Sequence, residues 1–458
     1  MEQKGIDLRT GKISRLLFSL ALPTVTSQIV NMLYNLVDRI YIGHIPGVGR
    51  AALTGVGVCL PIIMLISAFS ALAGAGGAPK ASIEEGRGNP GKSERIMGNC
   101  FTALLTISVI LTVVFAVFNR PLLLAFGASE DTISYATDYM GIYALGTIFV
   151  QVTLGMNIFI TAQGFSAVSM KTVLIGAGLN TVLDPIFIFG LNLGVRGAAL
   201  ATVLSQAVSA VWVLKFLCGK KTKWRLRREN LRLQGNVLLP CMALGLAPFI
   251  MQSTESVLAV CFNTSLLKYG GDIAVGAMTV LTSIMQLAML PLQGLTQGAQ
   301  PIISYNYGAK LPARVREAFK ALLAACVVFS MCLWAMVQLF PAMFVRMFSS
   351  DPTLVEYTVS ALRVYMAVSG IFGIQIACQQ TFIALGNAKS SLFLAVLRKI
   401  ILLIPLIYIL PNFFADKAFA VFLAEPVADA MAVCTTMVMF HFQFKKSMLA
   451  LEQPDENS

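Results

Sequence analysis

Long apolar runs alternate with short polar segments along the whole chain. Runs fall near residues 14–43, 52–80, 96–118, 132–160, 166–190 and 195–217, and again near 237–268, 274–304, 316–340, 356–385, 390–411 and 417–443. A run of roughly 20 apolar residues is long enough to cross a bilayer as a helix. Because lipid offers the backbone no hydrogen bonds, and because the runs are continuous rather than alternating, helices are favoured over barrel strands. The pattern predicts an all-α polytopic membrane protein with twelve transmembrane helices.

Composition agrees with a chain that lies mostly in lipid. Of the 458 residues, 57% are hydrophobic and 12% are charged, whereas a soluble globular protein carries about 25% charged residues. The net charge of +12 is explained by basic loops, so no nucleic-acid partner is expected. The nine cysteines contain no CxxC pair and are typical of packing residues, and the two histidines assemble no nucleophilic triad. We therefore expect neither an enzyme nor a cofactor.

The densest positive charge divides the chain into two halves. Seven of the thirteen residues from Lys220 to Arg232 are Lys or Arg. Such a cluster between apolar runs is typical of a cytoplasmic loop, and the remaining basic residues also favour that side. We expect an N-lobe over residues 1–217, a basic linker over 218–236, a C-lobe over 237–444 and a cytoplasmic tail over 445–458. Both termini should then lie in the cytoplasm.

The two halves resemble each other at an offset near 220 residues. Ala21-Leu22-Pro23 matches Leu246-Ala247-Pro248, and Pro185 matches Pro405. Six helices per repeat preserve orientation, so the repeats should be parallel and related by a pseudo-two-fold axis along the membrane normal. The fold class we predict is therefore two six-helix bundles, with a substrate path between them.

Ionisable groups deep within the apolar runs are the best candidates for function, because a charge at mid-bilayer costs at least a few kcal/mol. They are Asp38, Asp184, Glu255, Arg398, Glu425 and Asp429. The competing interpretation is a structural hydrogen bond or a charge that reaches the interface along its own side chain.

Asp184 has polar company. Asn180 lies one turn earlier on the same helix face, Thr202 is at a similar depth in the next helix, and Asp38 joins them if the first helix packs alongside. Two carboxylates with an amide and a hydroxyl can share one proton, or can bind Na⁺ through oxygens. The sequence leaves both open. Pro23 removes a backbone hydrogen bond within the first helix and is a candidate hinge.

Several strings resemble the multidrug and toxic compound extrusion (MATE) family in its prokaryotic form. The first helix reads Tyr34-Asn35-Leu36-Val37-Asp38, and the fifth reads Asn180-Thr181-Val182-Leu183-Asp184-Pro185. The eighth ends Gln297-Gly298-Ala299-Gln300-Pro301. The resemblance covers nearly the whole chain. It implies twelve helices in two lobes, ion-coupled antiport of drugs against H⁺ or Na⁺, and a place in the plasma (inner) membrane of a prokaryote.

The resemblance also assigns roles to individual residues. It places the acidic network at Asp38, Asn180, Asp184 and Thr202. Other candidate substrate-binding residues are Tyr34, Asn35, Asn157, Glu255, Gln379 and Arg398. Some branches of the family pair a Glu of the seventh helix with an Asp of the tenth, but here the tenth helix offers only glutamines. The N-lobe is therefore expected to be the coupling centre.

The leading functional hypothesis is secondary active efflux of amphipathic, mostly cationic compounds by alternating access, by a monomer in the lipid bilayer. An alternative is a flippase for a lipid-linked headgroup, which would need a strongly basic cavity, whereas Arg398 is the one deep basic residue expected here. A major facilitator transporter would carry an Asp-Arg-x-Gly-Arg pattern after its second helix, which residues 83–95 lack.

Overall fold

The computed structural model describes residues 6–452, and it is helical along almost all of that range. The membrane-spanning helices are, in chain order, α1 (Ile13–Gly43), α2 (Gly49–Gly86), α3 (Pro90–Val117), α4 (Ile133–Leu145 and Thr147–Ala162), α5 (Ser166–Gly190), α6 (Gly194–Cys218), α7 and α8 (residues 235–270 and 272–308 of Gly235–Gly308), α9 (Pro312–Leu339), α10 (Pro352–Tyr365 and Ser369–Ala384), α11 (Ala388–Asn412) and α12 (Lys417–Glu452). This arrangement confirms the prediction of twelve spans.

Breaks within three of these elements explain how the spans are counted. The helical stretch Gly235–Gly308 has 74 residues and reverses at Gly271, whose φ of 67° is open to glycine but unfavourable for other residues. A straight helix of that length would measure about 110 Å, several times the thickness of a bilayer. The spans α4 and α10 are each bent, by 58° and 49°. Since these bends fall at equivalent places in the two halves, they follow the internal repeat.

The repeat is visible in further details of the two halves. A short helix follows α3 at Asn119–Ala125, and another follows α9 at Pro341–Arg346. Both α5 and α11 also contain a widened π-helical turn, but at different places, since Ile186–Gly190 ends α5 and Leu397–Leu403 lies in the middle of α11. Such turns are rare and often lie at functional sites. At the C-terminus α12 runs on to Glu452, so the expected tail is helical as far as the structure describes it, and residues 453–458 lie outside the described part.

The basic linker is folded against the N-lobe. The side-chain oxygen of Gln163 accepts hydrogen bonds from the Thr222 hydroxyl and from the backbone N–H groups of Lys223 and Trp224, at 2.7, 2.8 and 2.9 Å. The Trp224 side chain is 1% exposed and its indole N–H donates to Glu85 at 2.9 Å. The linker therefore closes one end of the N-lobe, which we call the basic end of the molecule.

The hydrophobic core shows where the two lobes meet. At the end opposite the linker, one core cluster is built from residues 42–199 and another from residues 258–428. At the basic end the clusters mix the halves, since Cys241 packs with the N-lobe, and Leu16 and Leu20 of α1 pack with Ile302 and Ile303 of α8. The lobes thus share a core at the basic end and have separate cores at the other.

Glycines allow the lobes to approach closely at the basic end. A Cβ atom placed on Gly245 of α7 would lie 1.8 Å from the carbonyl oxygen of Leu72 in α2. One on Gly76 would lie 2.0 Å from the carbonyl oxygen of Cys241, and one on Gly308 would lie 2.0 Å from that of Ile83. Only hydrogen atoms fit in these spaces. We call this glycine-lined contact of α2 with α7 and α8 the inter-lobe seam.

Candidate functional site

The N-lobe holds a buried polar cluster formed by α1, α5 and α6. Asn180 and Asp184 are four residues apart on α5, so their side chains lie on the same face of the helix. The Asn180 amide donates to Asp184 Oδ1 at 3.2 Å and to the Thr202 hydroxyl at 3.3 Å. The carboxyl group of Asp38 on α1 lies close enough to that of Asp184 for the two to interact directly. All four residues predicted to form the acidic network are therefore brought together.

The cluster has spare oxygen atoms and no basic side chain among its hydrogen-bond partners within the described residues. Asp184 is 0% exposed, and Asp38 is 9% exposed. Three buried oxygens, Asp38 Oδ1, Asn180 Oδ1 and Asp184 Oδ2, lack a hydrogen-bond partner in the part of the chain that the structure describes. A contact between two carboxyl groups is stable only if a proton or a cation lies between them. The geometry therefore suits the reversible binding of one small positive ion.

Tyrosines close this cluster, and two of them are not predicted from the sequence. Tyr139 of α4 lies beside Thr202, and Tyr143, one turn further along, stacks on Tyr139 with ring centroids 6.1 Å apart. Both are buried, at 4% and 5% exposure. Their signal in the sequence was weak, because a tyrosine within an apolar run is equally typical of packing.

The C-lobe holds a second cluster, in which charges of both signs are paired. Arg398 of α11 donates to Asp429 at 2.6 Å and to Glu425 at 3.0 Å, and its guanidinium lies 4.4 Å from the Phe372 ring centre. The adjacent Lys399 pairs with Glu255 of α7 at 2.5 Å. Five charged groups from three helices thus form one network.

This network corrects one expectation. The apolar pattern predicts Arg398 as the only deep basic residue, but Lys399 is equally buried, at 6% exposure. Neighbouring residues on a regular helix point about 100° apart, so the sequence alone favours one of the two facing inward. The widened turn at Leu397–Leu403 changes that direction and lets both side chains reach inward partners. The single signal in the sequence was a second basic residue beside Arg398.

Neither cluster is a conventional metal centre. Among residues 6–452 there is no group of three or more His, Cys, Asp or Glu side chains placed to hold a metal ion. The N-lobe cluster offers two carboxylates, one amide oxygen and one hydroxyl. Such a donor set suits a hard monovalent cation as well as a proton.

Comparison with known proteins identifies the family. The MatE family model matches residues 23–186 and 248–409, one match in each lobe. The chain belongs to the MATE family of efflux transporters. The two matches coincide with the two halves of the internal repeat.

Curated and solved relatives cover nearly the whole chain. A multidrug export protein MepA of Staphylococcus haemolyticus is 24% identical over 96% of both chains. The structure of the MATE multidrug transporter DinF-BH in complex with a small organic compound is 35% identical, covers 96% of this chain and 98% of that one, and has a TM-score of 0.88. A MATE structure described as the bent conformation shares the fold with a TM-score of 0.92, at 22% identity over 99% of this chain and 100% of that one. These matches confirm the two-lobe, twelve-helix fold.

The residues suggested by the MATE resemblance do not all lie together. Tyr34 is within electrostatic reach of both Asp38 and Asp184. Asn157, in contrast, donates to the Ser169 carbonyl at 3.3 Å, and Ser169 is 11 residues before Asn180, or about 16 Å along a helix. Asn157 is therefore outside the acidic cluster, nearer the basic end.

The other suggested residues are distributed along both lobes. Asn35 is exposed and its amide donates to the Asn31 carbonyl at 2.7 Å. Gln379 is buried on α10, and its amide lies 3.1 Å from the sulfur of Met251. Met251 is one helical turn before Glu255 on α7. Pro23 is within the continuous helix α1, and the Ser27 hydroxyl donates to its carbonyl oxygen at 2.8 Å.

Proposed function

We propose that this MATE transporter exports amphipathic organic cations in exchange for H⁺ or Na⁺, working as a monomer in the plasma membrane of a prokaryote. The observation that carries the proposal is the N-lobe cluster, in which the carboxyl groups of Asp38 and Asp184 are both buried and lie close together. Supporting evidence comes from relatives that are named multidrug export proteins and from a multidrug transporter described in complex with a small organic compound.

Coupling follows from the charge of the cluster. Two carboxylates in contact repel each other, and a bound cation or proton relieves that repulsion. The ion that drives transport binds at Asp38 and Asp184 with help from Asn180 and Thr202, and its arrival and departure change the charge of α1 and α5. Asp38 and Pro23 are both on α1, so ion binding at Asp38 can change the conformation of that helix.

Access to the site is proposed to alternate between the two membrane faces. By the positive-inside rule the basic end is cytoplasmic, which also places both termini there. The inter-lobe seam closes that end through Gly245, Gly76 and Gly308. The described form is then open to the outside, and a rocking of the lobes about the pseudo-two-fold axis would open the seam.

The C-lobe network favours cation export over the alternative flippase. A lipid-linked phosphate would need uncompensated positive charge, yet Arg398 and Lys399 are paired with three carboxylates, those of Glu255, Glu425 and Asp429. The formal charge of these five groups sums to −1. This net negative charge attracts cations and repels phosphates.

The test is transport by the purified protein in liposomes with pH and Na⁺ gradients imposed separately. Asp184→Asn removes the charge and keeps the shape, so gradient-driven efflux should be lost while the protein still folds. Asp131→Asn is a matched control, because Asp131 is exposed in a loop. If Asp184→Asn pumps at the rate of the control under either gradient, the cluster does not couple transport.

A further inference from the structure

The C-lobe network is divided into a fixed part and a part held by one contact. Arg398 is fixed from three sides by Asp429, Glu425 and the Phe372 ring. The side chains of Arg398, Glu425 and Asp429 are 8%, 6% and 4% exposed. Lys399, by comparison, makes a single ion pair among the described residues, with Glu255.

The two members of the Glu255–Lys399 pair have very different surroundings. The Lys399 side chain is 7% exposed, whereas the Glu255 side chain is 54% exposed. Glu255 is on α7, within about 40° of the helix face on which Cys241 meets the N-lobe at the seam. One turn before it, Met251 contacts Gln379 of α10. Glu255 thus faces the space between the lobes, and Lys399 approaches its carboxylate from the protein side.

A second carboxylate also interacts electrostatically with the lysine. Glu425 is within electrostatic reach of Lys399 as well as of Arg398. Glu425 and Asp429 together carry two negative charges against the single positive charge of Arg398, so this part of the network has an unbalanced negative charge. An ammonium that leaves Glu255 can therefore move toward α12 without becoming an isolated buried charge, which would be costly.

From this geometry we propose that Lys399 is a tethered cation that occupies Glu255 until a substrate cation displaces it. The inference rests on the proposed export of organic cations and names the residue that sets their selection. A neutral compound cannot replace the ammonium, because Glu255 would then lose its counter-charge. A small ambient cation competes poorly with an ammonium that is covalently held beside the carboxylate. The C-lobe carboxylate is thus reserved for bulky cations that also gain apolar contacts.

The test measures equilibrium binding to the purified protein in lipid nanodiscs without any gradient. The probes are methyltriphenylphosphonium, a lipophilic cation, and triphenylphosphine oxide, a neutral compound of similar shape. Lys399→Met should tighten binding of the cation by about fivefold or more, which corresponds to roughly 1 kcal/mol, and should leave binding of the neutral probe unchanged. Lys399→Arg keeps the charge and should bind the cation like the original protein. Glu255→Gln added to Lys399→Met should abolish the gain.

Several outcomes overturn the proposal. If Lys399→Met leaves cation affinity unchanged, weakens it, or shifts both probes together, the ion pair is a structural contact. If the cation binds none of the variants, the ion pair is likewise a structural contact. Should Lys399→Met fail to fold, Lys399→Gln, which still donates a hydrogen bond to Glu255, carries the same comparison. Failure here is distinct from failure of the export proposal, because gradient-driven efflux in liposomes is measured separately and depends on Asp184.

Discussion

Closure of the basic end depends on the absence of a side chain at Gly245, and this can be tested by adding one methyl group. In Gly245→Ala the new Cβ would lie 1.8 Å from the Leu72 carbonyl oxygen, and both atoms belong to helix backbones. Neither can rotate away, so α2 and α7 must separate. Overpacking of a well-packed contact costs about 1–3 kcal/mol. If the seam opens during transport, that cost falls on the closed form alone.

The expected shift in population follows from that energy. At about 1.4 kcal/mol for each factor of ten, the population of the closed form relative to the open form should fall by roughly 5- to 150-fold. Cys241 reports on this change, because it is 1% exposed beside the seam. With the other eight of the nine cysteines replaced by serine, the rate of Cys241 labelling by a small water-soluble thiol reagent should rise by up to the same factor. Efflux should slow, because one of the two forms is disfavoured.

Gly178→Ala is the control for this experiment. Gly178 is on α5, is exposed, and has open space out to 4 Å around the point where a Cβ atom would be added. An alanine there should only help the helix, by up to about 1 kcal/mol, and should leave Cys241 protected. If Gly245→Ala labels Cys241 no faster than Gly178→Ala does, the seam does not open by separation of α2 and α7, and the rocking of the lobes is wrong.

Three further changes probe other parts of the molecule. Pro23→Ala should restore a backbone hydrogen bond in α1 and lower the turnover of efflux more than it lowers substrate affinity; equal turnover in liposomes would exclude a hinge. Arg398→Leu should leave Glu425 and Asp429 uncompensated and cost about 3–5 kcal/mol, seen as a lower melting temperature, and an unchanged melting temperature would contradict the network. Gln163→Leu should free the linker, at about 1–3 kcal/mol for each buried donor left unpaired, and should expose Trp224 to quenchers of its fluorescence, whereas full protection would show that the linker is held by other contacts.

The spans and the N-lobe cluster could be predicted from the sequence because both depend on local spacing. Apolar runs of bilayer length define helices whatever their neighbours are. Asn180 and Asp184 are four residues apart, so their contact is a property of one helix. Placing Thr202 beside them needed only the packing of the successive helices α5 and α6, whereas placing Asp38 there needed the separate assumption that α1 packs alongside.

The C-lobe network and the linker could not be predicted in the same way. The Lys399–Glu255 contact joins positions 144 residues apart. It also depends on a widened turn in α11 that the residue types in that helix do not predict. The bend in α4 is set at Gly146, where a Cβ would lie 2.4 Å from a methyl group of Val203, and that neighbour is unknown until α6 is placed. The linker was interpreted through its charge alone. Its attachment depends on Gln163, to which the sequence assigns no special role.

The folded linker also has a consequence for how the chain is made. Its attachments continue beyond Trp224, since Thr102 donates to the Leu231 carbonyl at 2.7 Å and the Gln234 N–H donates to Asn99 at 2.6 Å. Every one of these partners precedes α7 in the chain. A ribosome that has released residue 234 has therefore already supplied all the groups that hold the linker to the N-lobe, and N-terminal units generally fold first during synthesis. The linker can therefore close the basic end of the first half while the second half is still being translated. If the gene is divided into two co-expressed fragments, the protein fragments should reassemble best when the cut is at Gly235.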